Sequence, residues 1–193
     1  MITEADLPKA VDRLDCEGML AIGREFGMSP PTEAELPEAR ALASKLMDHE
    51  VVSIETLIAV QNIQPASSLV FREDGRITGV SGQLMLTPKA FQVMLAGEFD
   101  AVDIDTRLLA REGELVSLGY GWGIAGSTKE AATAVSWVGR TMRLRLYPHI
   151  AGFTRAVTAV GRHIALTRYG YQPLRHPDDD LMISLPAKQV APA

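Results

Sequence analysis

The sequence predicts an α/β (α+β) domain with a mixed sheet, preceded by a run of helices. Three observations carry this. Apolar residues recur at helical spacing through the first third of the chain. Two strand-like runs meet at Asp74-Gly75, a hairpin signal. From residue 114 onward, strand-like and helix-like stretches alternate.

Leu7, Val11 and Leu14 share one helical face, and Met19, Leu20, Ile22 and Phe26 continue the pattern until Gly27 stops it. Ser29-Pro30-Pro31 is a break. The next helix runs to Met47 and has two candidate starts. Thr32-x-x-Glu35 offers a capping box, and Pro37 suits a first turn. A further helix over residues 53–61 stops before Pro65. Strands follow at 68–72 and 77–86. Thr87-Pro88 opens a helix that Gly97 closes. Residues 99–111 are acidic and irregular. The expected order then is strand 114–125, helix 127–146, strand 153–157, helix 158–169, and strands at 171–174 and 181–185.

A chain of 193 residues suits one domain with a real core. No apolar run approaches the ~18–20 residues of a membrane span. Cys16 is the one cysteine, so no disulfide forms within a chain, and a buried bystander is expected there. The acidic start, Met1 to Asp6, does not resemble a secretory signal, so a cytoplasmic setting is expected. Asp178-Asp179-Asp180 reads as a solvated turn, and no metal is expected.

Net charge is −5, unevenly placed. Residues 131–177 hold seven arginines and no acid: Arg140, Arg143, Arg145, Arg155, Arg162, Arg168 and Arg175. Two uses stay open for them. They can meet an anionic partner, or they can pair with the acidic N-terminal half. The acidic chain and a lysine-free basic stretch argue against nucleic acid.

The segment Gly119–Glu130 carries the chemistry. Gly121, Gly123 and Gly126 remove Cβ atoms along it, and Ser127 with Glu130 spells a capping box. Two readings are open here as well. One is a phosphate cradle at a helix N-terminus; the other is a glycine-rich strand packed closely on a neighbour. It is neither a P-loop nor a Rossmann fingerprint in context.

The last ~130 residues resemble the GNAT acyltransferase superfamily. The likeness rests on the Asp74-Gly75 hairpin, the strand ending Gly121-Trp122-Gly123-Ile124-Ala125, the helix opening at Ser127, and the final Arg168-Tyr169-Gly170-Tyr171. Gly119-Tyr120 followed by Trp122 and Ala125 also looks like the toxin-activating branch, which uses acyl carrier protein. The resemblance implies a mainly antiparallel GNAT-like sheet flanked by helices over residues 66–186. Residues 1–65 are then a helical extension packed on that core, and 187–193 a tail. It implies acetyl-CoA, another acyl-CoA or acyl carrier protein as donor, lying on Trp122, Gly123, Ile124, Ala125, Gly126, Ser127 and Thr128. An acidic carrier protein would suit the Arg140–Arg168 region. The chain departs from the family pattern at Leu166, where many members have a tyrosine, and at Ala159, where an asparagine is usual. Leu118–Tyr120 supplies no arginine or glutamine ahead of the glycines.

Acyl transfer needs a base, an oxyanion donor and a proton route to the thiolate. Glu114 at the start of the central strand, His149 before the next strand, and Tyr120 are the candidate catalytic residues. The alternative to an acyltransferase is an inactive GNAT-like binding or protein-interaction module.

Overall fold

The computed structural model describes residues 12–47 and 51–186. The helical face expected from Leu7 and Val11 and the tail 187–193 lie outside them. Leu14 is extended rather than helical: its N–H donates to the Glu114 carbonyl at 2.8 Å. Helix α1 (Cys16–Glu25) begins after Asp15, whose carboxylate accepts the Gly18 N–H at 2.7 Å. Gly27 then turns the chain with φ at 68°. Met28–Ser29 follows as strand β1 and pairs antiparallel with Phe71 and Val70. The helical extension expected over residues 1–65 therefore also contributes an edge strand, just before the break expected at Ser29-Pro30-Pro31. Two residues are too few to show a period in sequence.

The Thr32–Glu35 box and Pro37 both serve. The box sits on a 3-10 turn at Glu33–Glu35, and Pro37 lies in the first turn of α2 (Leu36–Met47). Ser53 caps α3 (Ile54–Ile63) by accepting the Thr56 N–H. Strands β2 (Ser68–Glu73) and β3 (Arg76–Leu86) form the expected hairpin. Asp74 and Gly75 have φ of 50° and 77°, so both central turn residues are left-handed. Pro88–Ala96 is α4, closed by Gly97 at φ 78°.

The central strand, β4, is Leu118–Gly126. It does not open at Glu114. Residues 111–114 form a turn instead, in which the Glu114 carboxylate accepts the Arg111 N–H at 2.9 Å. Then come α5 (Lys129–Arg145), β5 (Ala151–Arg155), α6 (Ala159–Arg168), β6 (Gln172–Pro173) and β7 (Leu181–Ser184). The sheet order is β1-β2-β3-β4-β5-β7-β6. All neighbours are antiparallel except β4 and β5.

Apolar clusters cover both faces. On one, α1 and α5 pack Met19, Val135 and Val138 against Met85 and Ile150. On the other, Val60 of α3 and Phe91 of α4 meet Leu86, Leu118 and Phe153. Beside these, Ala39 of α2 packs on Val70 and Ile77. Gln64 ends α3 fully buried. Its Nε2 donates to the carbonyls of Met85 (2.6 Å) and Ala110 (2.8 Å), and its Oε1 accepts the Met85 N–H (3.0 Å). Pairing of β2 with β3 stops at Ser68 and Gly82, so this side chain extends the ladder that β2 leaves short.

Candidate functional site

Strands β4 and β5 pair from Leu118–Ala151 to Gly121–Thr154 and no further. β4 stays paired with β3 to Gly126. In that pairing Gln83 faces Gly121 and Gly82 faces Gly123, so Trp122 is an extra residue in a bulge. The bulge bends β4 where β5 leaves it. The parting belongs to a larger cavity of about 2080 Å³, which is lined by β4, β5, α5 and α6 and runs on along α2, β3 and the 97–102 loop.

Tyr120 and Trp122 point to the α4 side. Trp122 Nε1 donates to the Ala101 carbonyl at 2.8 Å. Tyr120 is buried, its ring 5.0 Å from that of Phe99. Burial pushes its phenol up to about 12, with Arg155 opposing the rise. Arg155 pairs with Asp180 at 2.8 Å. The Asp100 carboxylate accepts the N–H groups of Val102 (2.7 Å) and Asp103 (3.1 Å), which hold its pKa below the usual range. Sequence reasoning missed Arg155 and Asp180 as neighbours of Tyr120. They come from different strands and loops, and no local pattern links them.

Close packing requires glycine at Gly126 and favours it at Gly121, whereas Gly123 has room for a Cβ. A Cβ on Gly121 would meet Thr154 Oγ1 at 3.3 Å, and one on Gly123 would meet Met47 Sδ at 3.4 Å. One on Gly126 would lie 2.5 Å from the Ala132 backbone nitrogen. Trp122, Gly123, Ile124, Ala125 and Gly126 lie in β4, all but the last within the strand expected over residues 114–125. Ser127 is not the cap of α5. Its N–H and hydroxyl both donate to the Thr78 carbonyl, at 2.8 and 3.0 Å. Thr128 caps the helix instead, accepting the Ala131 N–H at 3.1 Å. The Thr128 hydroxyl donates to Glu73 Oε2 at 2.8 Å, which brings a carboxylate to this helix start. The first amides of α5 lack intrahelical partners, as at any helix start.

The other candidates lie elsewhere. Glu114 is in its exposed turn, outside the cleft. His149 lines the far end of the cleft, before β5, with its Nδ1 3.1 Å from Asp12 Oδ1. Four residues separate Trp122 from Leu118, about 13 Å of strand, so His149 is remote from the parting. The Cys16 thiol is buried and pushed up to about 12, mainly by desolvation.

Of the seven arginines, Arg145 alone bridges to the N-terminal half among the described residues, through Glu25 at 2.7 Å. Arg143 and Arg175 donate to backbone carbonyls, and so does Arg162, to Pro177 and Asp179. Arg140 lies over the Trp137 ring. Arg140, Arg143, Arg155 and Arg168 line the cleft. No group of three His, Cys, Asp or Glu side chains among the described residues is placed to hold a metal. No helix among them is long and apolar enough to cross a membrane.

No protein-family model matches the chain, and no curated protein matches it by sequence. Solved structures do match. Ard1 from Thermoplasma volcanium aligns over 83% of this chain and 97% of its own, with 8% identity and a TM-score of 0.50. Naa20 from Chaetomium thermophilum, solved in complex with a bisubstrate analogue, aligns over 82% and 86%, with 11% identity and a TM-score of 0.51. A Pyrococcus horikoshii protein assigned as an acetyltransferase aligns over 77% of this chain at 8% identity and a TM-score of 0.47, and the chain spans only 44% of its length. At these identities the likeness is one of fold. The mixed sheet, β4 and β5 parting after one short parallel stretch, and the alignments with Ard1 and Naa20 give this chain the GNAT fold.

Proposed function

We propose that the chain is an acyltransferase that moves an acyl group from coenzyme A or acyl carrier protein to an amine or hydroxyl acceptor. Fold alone does not fix an activity. The observation that carries the reading is the parting of β4 from β5 at a bulge, beside a cavity that β4, β5, α5 and α6 help to line. An extended thioester arm lies there beside Trp122 to Gly126, with its phosphates toward the start of α5 at Ser127 and Thr128. The acceptor attacks the thioester carbonyl, and the thiol leaves with a proton. The backbone amides of β4 around the bulge at Trp122 are the donors assigned to the developing oxyanion. Tyr120 stands beside the parting; its phenol, protonated at neutral pH as any tyrosine is and held so further by burial, serves as a hydrogen-bond donor rather than a base. The cleft arginines favour an anionic donor, coenzyme A or an acidic carrier protein alike.

One observation favours the second reading, a binding module without turnover. Both carboxylates near Tyr120 are engaged: Asp180 with Arg155, and Asp100 with its own loop. Calorimetry with acetyl-CoA, a long-chain acyl-CoA and acyl carrier protein, coupled to an assay for released thiol over a panel of amines, separates the two. Binding with thiol release supports the enzyme. Binding without release for any acceptor supports the module. No heat with any donor refutes both.

A further inference from the structure

We propose that Gln83 binds the pantetheine arm of the donor, its carboxamide pairing with an amide of that arm; this rests on the acyl-thioester reading. Gln83 lies in β3 opposite Gly121, at the edge of the bulge. Its side chain reaches toward α5, where a Cβ on Gly139 would overlap the carboxamide. Glycine in the interior of a long helix weakens it relative to alanine. Here it makes room for an amide group. The carboxamide thus lies against Gly139 and lines the cavity.

The Gln83 backbone N–H is bonded to the Ser67 carbonyl, yet its side chain has no hydrogen bond among the described residues. Gln64, by contrast, uses its amide three times. A half-buried amide with donor and acceptor both uncommitted calls for a ligand or water that offers the complementary pair. The amides of pantetheine offer a donor and an acceptor on an extended chain. Phosphates offer only acceptors, and an aliphatic acyl chain offers neither.

The test uses the full chain and the variants Gln83→Leu and Gln83→Ala. Each is titrated with pantetheine, acetyl-CoA and adenosine 3′,5′-bisphosphate, which lacks the arm. Both variants are expected to bind pantetheine and acetyl-CoA about fivefold more weakly, the scale of one net hydrogen bond, with nucleotide affinity unchanged. Wild-type affinity for pantetheine in both variants would overturn the assignment and leave the donor reading standing. An equal loss toward the bisphosphate would overturn it too, as the mark of a general packing defect. If the wild-type chain itself binds neither pantetheine nor acetyl-CoA, the assignment fails, and the coenzyme A form of the donor reading fails with it. Gln83→Glu keeps the acceptor and loses the donor, so it is expected to fall between wild type and the leucine variant.

Discussion

Replacing Gln64 with leucine isolates a stability effect of known origin. The change keeps the approximate volume and removes every polar atom of the side chain. The Met85 carbonyl keeps one partner, the Ala110 N–H at 2.9 Å. The Met85 N–H and the Ala110 carbonyl lose the partners described above. Each orphaned buried group costs about 1–3 kcal/mol, so the variant should be destabilised by about 3 kcal/mol. For a chain of this length that lowers the melting midpoint by roughly 6–12 °C. Thermal unfolding followed by circular dichroism, with urea unfolding beside it, reads the change. Gln64→Glu keeps the acceptor for Met85 but loses both donations, and should not recover wild-type stability. If Gln64→Leu melts within about 2 °C of wild type, the side chain does not complete the sheet edge and the reasoning fails.

Other substitutions probe the site's scaffold. Gly126→Ala places a Cβ 2.5 Å from a helix backbone nitrogen that cannot move alone; a cost of about 1–3 kcal/mol is expected in a urea midpoint. Thr128→Ala removes the cap of α5 and should cost about 1 kcal/mol by the same measurement. Glu35 is held down to about 2, first by its hydrogen bonds to Arg72 and then by the Thr32 N–H. Its folded pKa lies below its unfolded value, so its contribution is complete above pH ~4.5 and is lost as pH falls through about 2. Urea midpoints taken from pH 5 to pH 2 should therefore fall less steeply in Glu35→Gln than in wild type. Tyr120→Phe should lower thiol release while leaving pantetheine affinity within twofold, as stopped-flow and calorimetry would check.

Elements written in local turn chemistry were legible in sequence. Asp74-Gly75 and Thr87-Pro88 with Gly97 each announce a boundary within two or three residues, and the backbone follows them. Placements that depend on distant partners were not. Ser127 looks like a cap until Thr78, far back in β3, takes its N–H and hydroxyl, leaving the role to Thr128. Glu114 sits in a plausible strand start, yet Arg111 and Leu14 draw it into a turn. The glycines of β4 were readable as close packing or as a phosphate cradle. Only the positions of Thr154 and Ala132 show that Gly121 and Gly126 are closely packed. The neighbours of Tyr120 had no signal at all, because Arg155 and Asp180 reach it only through β5 and the turn before β7.

The short parallel stretch between β4 and β5 is also a mechanical seam. Four residue pairs join the backbone of the β1–β4 meander to that of β5, β6 and β7. Along the rest of the boundary, side chains hold the halves together, with Phe91 edge-on to Phe153 on one side and Tyr169 donating to the Ser136 carbonyl on the other. Units with few cross-boundary hydrogen bonds open before the whole chain unfolds. Amides of β5 and β7 should therefore exchange with solvent sooner than those of β3. A ligand wedged along the seam would fasten the two halves, so that occupancy of the cleft registers as slowed exchange in strands it does not touch.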